Sequence, residues 1–150
     1  YTEFFSGLDE DPADVLATGF EEGHQELVVL RDIPFFSICE HHFLPFYGSV
    51  HIGYIPKGRV VGASKLARAL EILARRPQIQ ERLTDQLMEA LNKTLEPDGV
   101  AVVISAEHMC MSLRGVSKPG SRIVTSSARG RLRTKAADRQ EFFDLIKGIQ

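Results

Sequence analysis

Apolar residues recur along this chain with two different periods, and the switches between them mark its elements. Glu26–Ile33 (ELVVLRDI) is an apolar run of strand length, and Gly48–Tyr54 (GSVHIGY) alternates as a half-buried strand does. Pro56-Lys57-Gly58 reads as a turn, and Arg59–Ala63 as a further short strand. The period then becomes helical. Ser64 is placed as the N-cap of a helix to about Arg75, with Leu66, Ala69, Leu70 and Leu73 as its apolar stripe. Pro77 interrupts the pattern. A second helix, from Gln78 to Leu95, carries Ile79, Leu83, Leu87 and Leu91 at spacings of four.

After the turn at Pro97-Asp98-Gly99, Val100–Gly115 reads as a long strand and Ser121–Leu132 as another. Ala137–Ile149 closes the chain as a short amphipathic helix, and a brief helical pattern lies near Asp14–Glu22. The order predicts an α+β domain of antiparallel strands with two consecutive helices between pairs of them. Neither repeats nor linkers divide the 150 residues, the size of one ordinary domain.

Composition narrows the partners. Eighteen basic against twenty acidic residues leave a net charge of −2, so no global field favours nucleic acid or a membrane surface. No apolar stretch approaches the ~20 residues that span a bilayer, and the acidic start YTEFFSGLDEDP is unlike a signal peptide. Two cysteines are too few for a disulfide scaffold, so a cytoplasmic protein with reduced thiols is expected.

One stretch breaks the apolar logic. In SICEHHFLPF, Cys39, Glu40, His41 and His42 sit among Phe36, Ile38, Phe43, Leu44 and Phe46, which is costly unless each finds a partner. The other cysteine, Cys110, lies in HMCMSLRG. If that segment is a strand, His108, Cys110, Ser112 and Arg114 share one face, and Arg114 can hold an anionic tail while Cys110 and His108 act at the other end of a ligand. Zinc favours thiolate and imidazole, and Cys39, His42 and Cys110 would form a three-ligand site with an open position. His41 and His108 would then flank it as proton-transfer groups. Inert buried thiols, a redox disulfide, and a nucleophilic Cys39 activated by a histidine fit the same residues.

Two weaker clusters follow. Lys65 and Arg68 share a face at a helix start, where free amides also favour anions, although for this stretch alone a solvated helix start with an N-cap serine is the favoured reading. Glu81, early in the second helix, is either a complement to the helix dipole or a bidentate acceptor for a nucleobase edge. His24 and His51 suggest no role.

The blocks CEHH, SKLAR, QERLT and HMCM…RG, in this order, resemble GTP cyclohydrolase I, and the resemblance runs from about residue 3 to residue 146. It implies the tunnelling fold, an antiparallel sheet with two consecutive helices on one side. It implies a homo-oligomer of β-barrel pentamers stacked into a decamer, with active sites where subunits meet. It implies zinc-dependent hydrolysis of GTP at C8, loss of formate, ribose rearrangement and closure to 7,8-dihydroneopterin triphosphate, which opens folate and tetrahydrobiopterin synthesis. By matching motif, Cys39, His42 and Cys110 resemble the zinc ligands, and His108 and His41 the proton-transfer residues. Ser64, Lys65, Arg68 and Arg114 resemble triphosphate ligands, and Gln80 and Glu81 guanine readers. The whole chain is expected to be one catalytic domain lacking the family's N-terminal helical segment. Pro77 and the TSSARGRLR segment depart from the usual pattern without touching a proposed site residue. The alternative expectation is a zinc-containing nucleotide-binding or assembly domain of the same fold without turnover.

Overall fold

The computed structural model describes residues 3, 5–17, 19–113 and 120–147. In chain order these form α1 (Pro12–Leu16), β1 (Phe20–Glu21), β2 (Val28–Cys39), β3 (Pro45–Ile55), β4 (Arg59–Val60), α2 (Ala63–Ala74), β5 (Pro77–Gln78), α3 (Gln80–Leu95), β6 (Gly99–His108), α4 (Met109–Leu113), β7 (Ile123–Gly130), α5 (Arg131–Thr134) and α6 (Ala136–Lys147). The main sheet has the order β5-β2-β3-β6-β7, antiparallel except for the parallel β5–β2 contact, and β1 pairs separately with β4.

Both long helices lie on one face of this sheet. Leu66, Leu70 and Leu73 of α2 and Leu83, Leu87 and Leu91 of α3 are buried against Val50, Ile52, Val102 and Ile104. Each such side chain contributes about 1.5–3 kcal/mol by leaving water. The opposite face carries a smaller cluster, in which Phe142 of α6 packs with Ile55, Ala101 and Val103. Gly53 makes that docking possible, because a Cβ there would lie 2.5 Å from the Phe142 ring.

Several boundaries differ from the sequence reading. β2 continues past Ile33 to Cys39, because β3 pairs with it as far as Ile38↔Pro45. A bulge interrupts the register between Leu30 and Ile33. There Asp32 has φ 59° and donates its N–H to His51 Nδ1 at 3.0 Å. Asp11 caps α1, accepting from the Ala13 N–H, and Pro12 takes the first helical position, so this helix starts and ends earlier than expected. The N-cap of α2 is Gly62 rather than Ser64, and no side chain caps it.

The expected strand 100–115 stops at His108. Its last pair with β3 is Phe46↔His108, one residue from the start of β3, and its last pair with β7 is Ala106↔Ile123. With neighbours exhausted on both sides, the backbone bonds locally and turns into α4. Cys110 therefore does not follow His108 by strand alternation. β7 likewise ends at Gly130, whose φ of 63° and 2.3 Å approach of a would-be Cβ to the Asp98 carbonyl favour glycine, and α5 follows. Among the described residues no helix is long and apolar enough to cross a membrane.

Candidate active site

The sheet delivers the unusual residues to one rim. Cys39 is the last residue of β2, and a tight loop returns the chain to β3. The Cys39 N–H donates to the Leu44 carbonyl at 2.9 Å, and the Phe43 N–H donates to the Cys39 carbonyl at 2.8 Å. Phe43 closes the loop with φ 52°. This turn brings Cys39 Sγ to 3.6 Å from His42 Nδ1, the i, i+3 convergence the spacing suggested. Cys110, at the start of α4, reaches the same place. Burial pushes its thiol up, and the neighbouring Cys39 sulfur pushes further in the same direction.

Two thiols and one imidazole are a zinc-type donor set, and a cation would reverse the raised thiol pKa by favouring the thiolate. Both cysteines are unbridged and half-buried. Among the described residues no three cysteine, histidine or acidic side chains lie close enough together to hold an ion as they stand. The donors thus fit the metal in kind, arranged as a Cys39–His42 pair with Cys110 beside it.

β5 carries the helix α3 to this rim. Gln78 pairs with Cys39, and the Glu40 N–H donates to the Gln78 carbonyl at 2.8 Å. Gln78 is anchored in turn, its amide donating to the Leu73 carbonyl at 2.8 Å and to Gln86 Oε1 at 2.9 Å. Arg82 pairs with Glu40 and holds its carboxyl below the usual range. Arg82 is the partner that the apolar run required for Glu40, and the sequence reading missed it. Glu40 without a counter-ion was the available signal.

His108 is buried at the end of β6. Phe46, its cross-strand partner, stacks on it with ring centroids 4.5 Å apart and planes 7° apart. Burial lowers the His108 pKa, and the Glu81 carboxylate works against that shift. Glu81 is exposed in the first turn of α3, and His41 and His42 are exposed in the loop. Gln80 differs from the expectation of a ligand-facing residue. It is buried, and its amide is engaged with Ile104, Ile123, Thr125 and His108.

The cations of α2 form a separate group. Ser64, Lys65 and Arg68 are exposed at its start, where the Lys65 and Leu66 N–H groups both donate to the Gly62 carbonyl. Arg68 contacts Glu10 at 2.9 Å and Glu71 at 3.4 Å. Arg114 lies outside the described residues. A groove of about 590 Å³ between α2 and the β2–β3 pair is lined by Phe35, Phe36, Tyr47, Leu70 and Arg75, and no cysteine or histidine lines it. The rim that carries Cys39, His42 and His108 is therefore distinct from this groove.

Comparison with known proteins bears on the fold and the family. A solved structure of the archaeosine synthase QueF-Like in its apo form superposes with a TM-score of 0.53 at 20% identity, covering 69% of this chain and 93% of that one. This likeness concerns the fold alone, and the chain has the tunnelling fold. GTP cyclohydrolase 1 of Dehalococcoides mccartyi (strain BAV1) is 60% identical over 98% of this chain and 79% of that protein. The enzyme of the same name from Halalkalibacterium halodurans is 59% identical over 99% of this chain and 79% of its own length. The family profile described as GTP cyclohydrolase I matches residues 1–147. On fold, rim and sequence together, the chain belongs to the GTP cyclohydrolase I family of enzymes.

Proposed function

We propose that this chain opens the imidazole ring of GTP at C8 and releases C8 as formate. It then rearranges the ribose and closes a new ring to give 7,8-dihydroneopterin triphosphate, the entry step of folate or tetrahydrobiopterin synthesis. The observation that carries the reading is the convergence on one rim of Cys39, His42 and Cys110 with His108 and Glu81. Cys39, His42 and Cys110 would hold a zinc ion. When bound, zinc supplies the Lewis acidity that lets water attack near neutral pH.

The remaining work falls to the chain's own side chains. Glu81, exposed at the start of α3, accepts hydrogen bonds from N1 and the exocyclic amine of guanine, a bidentate contact to a charged acceptor. His108 transfers a proton at N7, beside the carbon under attack, and His41 transfers one at the ribose ring oxygen. Ser64, Lys65, Arg68 and Arg114 hold the triphosphate. Arg68 is shared by Glu10 and Glu71 in the free chain, so binding exchanges those carboxylates for phosphate oxygens.

The family resemblance implies a homo-oligomer of stacked pentamers with each site completed by a neighbour, and two features of the chain are compatible with association between copies. The rim is open, and the α2 cations stand apart from it. The outer edge of β7, with Val124 64% exposed, lacks a strand partner among the described residues.

Incubation of the zinc-loaded protein with GTP tests the reading. Formate is released, and the product becomes a fluorescent pterin on oxidation. GTP binding by calorimetry with no formate would leave a nucleotide-binding domain without turnover.

A further inference from the structure

Gln80 is the first residue of α3 and 1% exposed. Its Nε2 lies 2.9 Å from the Ile123 carbonyl, 3.2 Å from the Ile104 carbonyl and 3.1 Å from Thr125 Oγ1. Carbonyl oxygens only accept, so the amide hydrogens must face them. The reverse orientation would set Oε1 against two carbonyls. The hydroxyls complete the assignment. Thr84 Oγ1 donates to the Gln80 carbonyl at 2.8 Å. In the 2.7 Å contact between the two threonines, Thr125 is therefore the donor, which leaves a Thr125 lone pair for Gln80.

With the amide oriented, Oε1 points at His108 Nε2, 2.7 Å away. An amide oxygen cannot donate, so Nε2 carries the hydrogen. In the neutral ring the lone pair then lies on Nδ1. Phe46, stacked at 4.5 Å, fixes the ring plane. Flipping the ring to exchange its nitrogens would break the bond to Gln80.

We infer that Gln80 is a positioning residue for His108, locking it in the Nε2–H tautomer with the lone pair on Nδ1, rather than a reader of the nucleobase. The family resemblance implies that Gln80 and Glu81 share a role as guanine readers. The helix directs the two side chains differently, Gln80 into the sheet and Glu81 into solvent. The kinetic part of this inference rests on the proposed proton transfer by His108, whereas the tautomer does not.

The test uses zinc-loaded protein with ¹⁵N-labelled histidine. Ring correlation spectra report the tautomer, and the His108 signals are identified by their loss in His108→Gln. Unaltered protein is expected to show His108 as the single Nε2–H form. The Nδ1–H form would overturn the inference, and this measurement stands whether or not any variant folds. In Gln80→Leu the single tautomer is expected to be lost. In the same variant kcat for formate release falls about 10-fold or more, up to a ceiling of the ~10²–10⁴-fold that a positioned proton-transfer group contributes, while KM for GTP changes little. A raised KM with kcat intact would return Gln80 to base recognition and overturn the inference. If unaltered protein makes no formate, the functional reading fails on its own, and the spectra still decide the tautomer.

Discussion

The carboxylate of Glu40 is paired with the guanidinium of Arg82, tying the loop that carries Cys39 and His42 to the first turn of α3. The pair is partly exposed, so its effect on global stability is small. Its expected effect is on alignment, because it joins the cysteine loop to the turn that bears Glu81. Arg82→Met is expected to leave the thermal midpoint nearly unchanged and to lower kcat/KM for GTP by up to about 10²-fold, the scale of an ångström-sized misplacement. Parallel melting curves and steady-state kinetics check this, and full activity in the variant would remove the pair from the site's architecture.

Metal content gives a second expectation. The proposed donor set binds about one zinc per chain. Removal by a chelator abolishes formate release, exposes both thiols to a thiol reagent and lowers the melting temperature, since binding to the folded state alone stabilises it. Cys110→Ala is expected to lose zinc while the sheet persists, because Cys110 lies beyond the last ladder pair of β6. Elemental analysis and circular dichroism on the same sample decide the point.

His51 links pH to stability away from the rim. Its Nδ1 accepts the Asp32 N–H, so that nitrogen is unprotonated in the folded chain. Burial lowers its pKa, opposed by the Asp32 carboxylate and reinforced by Arg31. A histidine depressed on folding binds fewer protons folded than unfolded. Stability is therefore full above the unfolded value of about 6.5 and falls as pH drops from there toward the folded value. His51→Leu is expected to cost about 1 kcal/mol at pH 7 for the lost hydrogen bond, and to flatten the decline below pH 6.5. Urea unfolding at several pH values measures both effects. An equally steep decline in the variant would assign the titration to other groups.

Gly53→Ala tests the docking of α6. The added methyl meets the Phe142 ring at 2.5 Å, and its backbone lies in the middle of β3, so the helix must shift. A loss of about 1–3 kcal/mol is expected. Restoring space with Phe142→Leu in the same chain should recover part of it, as a double-mutant cycle by chemical denaturation would show.

The parts of this molecule that were legible in sequence are those whose signal is local. The stripes Leu66–Leu73 and Leu83–Leu91 set α2 and α3, and Pro77 separates them; each residue's burial follows from its own helix. The Cys39–His42 approach was legible for the same reason, since three residues across a turn fix it. The strand reading past His108 failed because alternation continues in sequence where pairing partners do not, and that limit belongs to β3 and β7. Arg82 opposite Glu40, Phe46 under His108 and Gln80 against three elements depend on register between distant segments. A period along one chain segment does not encode that register.

That β6 runs out of partners at His108 has a consequence for how the fold can change. Reactive groups gather where the ladder ends, while the interlocked slab of Val50, Ile52, Val102, Ile104 and the helices above it is built from other side chains, with Cys39 packed only at its margin. Chemistry at such a margin can be rewritten residue by residue without disturbing the framework that holds it. A framework of this kind can persist in a protein only 20% identical, as in the solved structure that shares it.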